Sequence, residues 1–125
     1  MTENEIAKII VDRCFHIHKK LGPGLFESVY EEVLCYELRK LNLNYERQKL
    51  VEIEYDELVM DKGFIADIIV EKKVIIELKA VKQIEPVHQK QLVTYLKLTD
   101  MKLGLLINFD VPLIKNGIQR IVNNL

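Results

Sequence analysis

The sequence is poor in everything that staples, links or anchors a chain. It holds two cysteines, three prolines and five glycines in 125 residues. The cysteines, Cys14 and Cys35, sit inside helical patterns and form neither a disulfide framework nor a ligand cluster. They are expected to be reduced thiols packed in a cytoplasmic protein. No low-complexity tract, internal repeat or Pro/Gly/Ser-rich linker is present, so one domain is expected to run over residues 1–125. No apolar run approaches the roughly 20 residues of a membrane span, and no membrane partner is expected. The start, Met1 to Glu5, is polar and acidic, unlike the basic and then apolar start of a signal peptide. An excess of one charge is also missing. There are 18 basic and 19 acidic residues, a net charge of −1. A protein that coats nucleic acid by counterion release is usually strongly basic. Any nucleic-acid contact here must rest on a local patch, a metal or a partner. Near-neutrality leaves a homodimer or a protein partner open.

What is present is apolar residue in two periods. Apolar side chains make up 49% of the chain, enough for one core. Ile6, Ile9, Ile10, Ile17 and Leu21 recur at helical spacing and predict a helix over residues 5–20, with Asn4 as its cap. Gly22-Pro23-Gly24 then turns the chain. Phe26, Val29, Tyr30, Val33, Leu34, Leu38 and Leu41 predict a second helix over residues 25–41. The period changes over residues 45–55, which read as one or two short strands. Asp56-Glu57 and Asp61-Lys62-Gly63 carry turn chemistry. Pro86 opens a third helix to about Thr99. Leu103 to Asn108 reads as a buried strand, and the tail as a strand through Ile118 to Val122 or a short helix. The order is α-α-β-β-β-α-β-β.

Residues 64–79 are the most informative. β-branched side chains dominate, broken by Glu71-Lys72-Lys73, which predicts a hairpin with a three-residue loop. Val70 then faces Val74, Ile68 faces Ile76, and Ala66 faces Leu78 on one apolar side. The other side pairs Ile69 with Ile75, Asp67 with Glu77, and Ile65 with Lys79. A sheet apolar on both faces must be covered on both, which predicts an α/β/α sandwich. Like charges directly opposite each other destabilise a sheet. Burying them uncompensated costs several kcal/mol, roughly, or forces protonation. A hard divalent cation removes that cost, because carboxylate oxygens suit Mg²⁺, Mn²⁺ or Ca²⁺. An acid two residues before a lysine is common on any surface. Here Glu77 interrupts Val74-Ile-Ile and precedes Leu78, so it sits in a buried strand.

Asp67, nine residues, then Glu77-Leu78-Lys79 resembles the Asp-(x)n-(Asp/Glu)-x-Lys motif of PD-(D/E)xK nucleases. Gly22-Pro-Gly24-Leu-Phe-Glu27-Ser-Val-Tyr30 resembles the GxxExxY signature of a subfamily of small proteins within that superfamily. Gln91-Leu-Val-Thr-Tyr95 resembles the QxxxY motif of RecB-type members. Gly104 to Phe109 and Gly117 to Arg120 match the subfamily's tail. Ala66 stands where the motif's name has proline. The resemblance implies a restriction-endonuclease-like α/β/α sandwich, with a central mixed sheet and an N-terminal helical pair. It implies metal-dependent phosphodiester hydrolysis, on nucleic acid and most simply on DNA, with Mg²⁺ or Mn²⁺ as cofactor. It makes Asp67 and Glu77 the core metal ligands and Glu27 a third ligand or water anchor. Lys79 would assist the attacking water or balance phosphate charge. Gln91 and Tyr95, four apart on one helix face, would line the site, with Tyr30 in support.

Each of these residues also has an ordinary reading. Glu27 suits the first turn of any helix through the dipole. Tyr30 and Tyr95 fit a core whose hydroxyls find partners. His16 and His18, two apart on a helix, face different ways and cannot share a metal. His88 lies one turn before Gln91 and is at most a supporting residue. Lys82 and Lys90 are candidate phosphate contacts. The competing function is a catalytically silent nuclease fold that serves as an interaction or regulatory module, motivated by the near-neutral charge and the small chain.

Overall fold

The computed structural model describes residues 1–125. Helix α1 spans Glu3–Leu21 and is capped by Thr2, not Asn4. The Thr2 hydroxyl accepts from the Glu5 N–H at 3.2 Å, and the Glu5 carboxylate accepts from the Thr2 N–H at 2.9 Å. A reciprocal cap needs an acid three residues after the hydroxyl. Thr2 has Glu5 in that place, whereas Asn4 has Ala7. Helix α2 spans Glu27–Lys40 and packs beside α1.

Strand β1 is continuous over Tyr45–Tyr55. Strand β2 covers Leu58–Val70 and so begins six residues before the expected start. The hairpin turns once, at Asp56-Glu57, with Tyr55 opposite Leu58 and Asp56 in the left-handed region at φ 54°. Asp61-Lys62-Gly63 stays within the strand, opposite an irregularity of β1 between Val51 and Ile53 where none of the three has a paired partner. The remaining elements are β3 (Val74–Lys79), α3 (Pro86–Thr99), β4 (Leu103–Asn108) and β5 (Ile118–Val122). A single 3₁₀ turn, Ile114–Asn116, precedes β5, and the tail is a strand rather than a helix.

The strands lie in the order β1-β2-β3-β4-β5. All neighbours are antiparallel except β3 and β4, which α3 connects as a crossover and which run parallel. On one face Ile6, Ile10 and Ile17 of α1 and Leu34 and Leu38 of α2 pack with Ile68, Ile76 and Leu105. On the other face Leu92 and Leu96 of α3 pack with Ala66, Ile75 and Leu106. The result is the expected three-layer sandwich, mixed sheet and N-terminal helical pair. Gly104 is where α3 comes closest to the sheet: a Cβ there would stand 3.0 Å from Leu92. Both cysteines are free and buried, and burial pushes the Cys14 and Cys35 thiols up, to about 12 and about 11.

The entry to α2 is set by Tyr30, which is fully buried. Its ring stacks on Phe109 with centroids 4.4 Å apart. Its hydroxyl donates to the Gly22 carbonyl at 2.6 Å and accepts from the Leu25 N–H at 3.2 Å. These bonds clamp the Gly22-Pro23-Gly24 turn, where both glycines have positive φ. Replacing Tyr30 by phenylalanine keeps the stack and strands two backbone groups. The expected loss is about 1–3 kcal/mol of unfolding free energy, measured by urea denaturation. An unchanged midpoint would show that the clamp carries no stability.

Candidate active site

The site forms where the sheet opens. The β2–β3 ladder has the expected register at Val70–Val74, Ile69–Ile75 and Ile68–Ile76. It then stops. The expected pairs Asp67–Glu77, Ala66–Leu78 and Ile65–Lys79 are not made. β2 stays with β1, where Ala66 pairs with Lys49, and β3 stays with β4 as far as Lys79–Asn108. Ala66 consequently packs under α3 with Leu92, not beside Ile68 on the α1/α2 face. At the parting, the Asp67 side chain substitutes for the missing strand. Its Oδ2 accepts from the Leu78 N–H at 2.8 Å.

The second Asp67 oxygen, Oδ1, accepts from the Gln48 amide at 3.3 Å. The same amide nitrogen donates to Glu31 Oε1 at 2.6 Å. Glu31 Oε2 accepts from Arg47 Nε at 2.7 Å, and Arg47 also binds Glu32. A cleft of about 290 Å³ lies above this network, lined by Glu27, Ser28, Glu31, Gln48, Asp67, Leu78 and Lys79. Thus α2 supplies one wall, β1 and β2 the floor, and β3 the wall that carries the lysine.

Glu77 sits behind Asp67 and is only 7% exposed. Burial first, then the Asp67 carboxylate beside it, pushes the Glu77 carboxyl up to about 9. Lys79 and the Asp67 backbone N–H pull the other way and lose. No lysine, arginine or histidine forms an ion pair with Asp67 or Glu77. Tyr95 stacks on Phe64 with centroids 3.8 Å apart. Its hydroxyl pKa is raised by burial, then by the charges of Glu77 and Asp67, with the Gln91 side chain opposing. Tyr95, on α3, therefore lies within reach of the charge of the acidic pair, and Gln91 bonds to Tyr95.

Asp67, Lys79 and Glu27 thus share one cleft, which Glu77, Tyr95 and Gln91 do not line. Tyr30 does not line it and acts by holding the turn before Glu27. No three acidic, histidine or cysteine side chains come close enough together to cage a metal, so Glu27 stays apart from the pair. His88 caps α3, accepting from the Glu85 N–H at 3.0 Å, and His18 binds the Val111 carbonyl at 2.9 Å. Glu31 and Gln48 were not singled out in the sequence. Glu31 follows Glu27 by one helical turn and so shares its face. No sequence signal marks Gln48.

The donor set fits a hard divalent cation. Mg²⁺ is held by one or two carboxylates, keeping several waters or substrate phosphates. Asp67 and Glu77 provide two carboxylates, close together and without an ion-pair partner.

Three helices around a five-stranded mixed sheet, with acids where the central strands part, define a restriction-endonuclease-like α/β fold. A family model for the PD-(D/E)XK nuclease superfamily matches residues 4–121, and the chain belongs to that superfamily. No curated protein and no solved structure matches it. No helix is long and apolar enough to cross a membrane.

The Glu77 carboxyl keeps its proton up to about 9 when folded and releases it near its ordinary 4.5 when unfolded. Between those values the unfolded chain binds fewer protons, so stability falls as pH rises. The metal-free protein is expected to melt several degrees lower at pH 9 than at pH 5. Glu77→Gln should flatten that slope and raise the melting temperature at pH 9. A wild-type slope that Glu77→Gln leaves unchanged would place the titration elsewhere.

Proposed function

We propose that this protein is a metal-dependent nuclease of the GxxExxY type, with DNA as substrate and Mg²⁺ or Mn²⁺ as cofactor. The observation that carries the reading is the uncompensated pair of Asp67 and Glu77 beside Lys79, at the point where the sheet opens. The superfamily's nuclease activity supports it.

Asp67 and Glu77 are the residues that would hold the cation. When bound, it would lower the pKa of a water and balance charge on the scissile phosphate. Asp67 keeps its orientation because both its oxygens are already engaged, by Leu78 N–H and Gln48. Lys79 presents an ammonium with no ion-pair partner to the cleft, where it balances an incoming phosphate. Glu27 lies on the opposite wall and orients water toward the phosphate. Tyr95 lies near enough to feel the charge of Glu77, and Gln91 bonds to Tyr95. Glu77 is buried, which strengthens its charge interaction with Asp67, whereas Asp67 itself faces the cleft.

One observation favours a second reading, the silent fold acting as an interaction module: Glu27 does not complete a three-acid cage. That reading predicts no melting shift with Mn²⁺ and a protein partner in its place. The nuclease reading predicts a rise, since a ligand that binds only the folded state stabilises it.

Purified protein is expected to nick plasmid or single-stranded DNA in Mg²⁺ or Mn²⁺, and not in EDTA. Glu77→Ala should lower the rate by at least about 100-fold, the scale of losing metal-assisted charge stabilisation. Lys79→Ala should slow cleavage while sparing the Mn²⁺-dependent melting shift. Cleavage that survives both EDTA and Glu77→Ala would overturn the proposal.

A further inference from the structure

Gln48 has an unusual backbone. It lies inside β1 with φ of 51°, in the left-handed region, although it is not glycine. That conformation is uncommon for a non-glycine residue and persists only where its surroundings enforce it. It also breaks the strand's alternation. Neighbouring side chains in a regular strand point to opposite faces. Here Arg47 and Gln48 are consecutive, yet both reach Glu31 on α2, at 2.7 and 2.6 Å. Only the local twist at Gln48 makes that possible. Its amide then faces Asp67 as well, at 3.3 Å.

The network has a direction. Glu32 and Glu31 hold Arg47, Glu31 holds Gln48, and Gln48 holds Asp67. Glu31 is buried, so it is a fixed anchor rather than a mobile surface acid. An amide is the one uncharged side chain that can both donate to two acids and avoid repelling either. A carboxylate at this place would add a third negative group, and an ammonium would neutralise the pair that the cation needs.

We infer that Gln48 is a positioning residue, held in a strained conformation so that its amide, anchored on Glu31, aims the Asp67 carboxylate at the metal position. This deepens the nuclease reading and rests on it. Groups that orient metal ligands are typically worth about 10- to 100-fold in metal affinity.

The test uses Mn²⁺ alone as probe, with wild type, Gln48→Met and Gln48→Gly. Methionine keeps the length and removes the donors. Glycine suits the φ of 51° and so protects the fold. Titration calorimetry should give dissociation constants about 10- to 100-fold higher for both variants, with urea midpoints at or above wild type for Gln48→Gly. The Leu78 amide should also exchange its hydrogen faster in both metal-free variants, because Asp67, its acceptor, is less firmly held. Wild type that binds Mn²⁺ with variants that bind equally well would overturn this inference and leave the nuclease reading standing. Wild type that binds no Mn²⁺ would overturn both. A folded Gln48→Gly with wild-type affinity is sufficient on its own to reject the role of the amide.

Discussion

One hydrogen bond organises the site: Leu78 N–H to Asp67 Oδ2, at 2.8 Å. It is a side chain standing in for a strand. A central strand that loses its partner leaves buried N–H groups without acceptors, each a cost of about 1–3 kcal/mol. Asp67 satisfies one such group and so lets β2 and β3 separate inside an otherwise apolar sandwich. The same bond orients the carboxylate. Opening the cleft and aiming the acid are therefore one structural event. The rest of the network secures it from the far side, through Gln48, Glu31 and Arg47.

Burial and charge oppose each other at Glu77. Burial of Glu77, behind an Asp67 that faces the open cleft, makes the second carboxylate costly to ionise next to the first. Neither lysine nor arginine is close enough to cancel that cost. Stability of the folded chain and the proposed metal binding thus favour different protonation states. The folded chain alone prefers Glu77 neutral, and a bound cation would require it charged. Metal binding and proton release are coupled in such a site.

Much of this was legible in the sequence, and the misses have physical causes. The hairpin register at residues 68–70 and 74–76 followed from apolar periodicity and loop length, because a one-residue slip would turn every side chain over. The helical pair followed from period, and the mixed sheet came only from the family resemblance, since apolar periodicity does not give a strand's direction. The end of the ladder did not, because a strand pattern records which face a residue takes, not when its neighbour departs. Asp67 and Glu77 were expected to pair directly across the hairpin. They instead meet side by side at its open end. The cap was expected at Asn4 and lies at Thr2, where Glu5 follows at the spacing a reciprocal cap needs. Gln48 was not legible, because a lone glutamine in a strand has no distinguishing neighbours until α2 is packed over it.

Glu27 shows why the motif around it takes the form it does. Helix α2 has no side-chain cap at its start, where Phe26 is 83% exposed. Its position depends instead on the Tyr30 hydroxyl, which grips the backbone on both sides of the glycine turn. Glycines permit the positive φ values, and the tyrosine three residues after Glu27 fixes where the first turn begins. The acid is thus delivered to the cleft by a turn and a buried ring, with no contact of its own needed to hold it. That leaves its carboxylate free to meet water or substrate. None of the ion pairs includes Glu27, and its place in the first turn of α2 also suits the helix dipole without any partner.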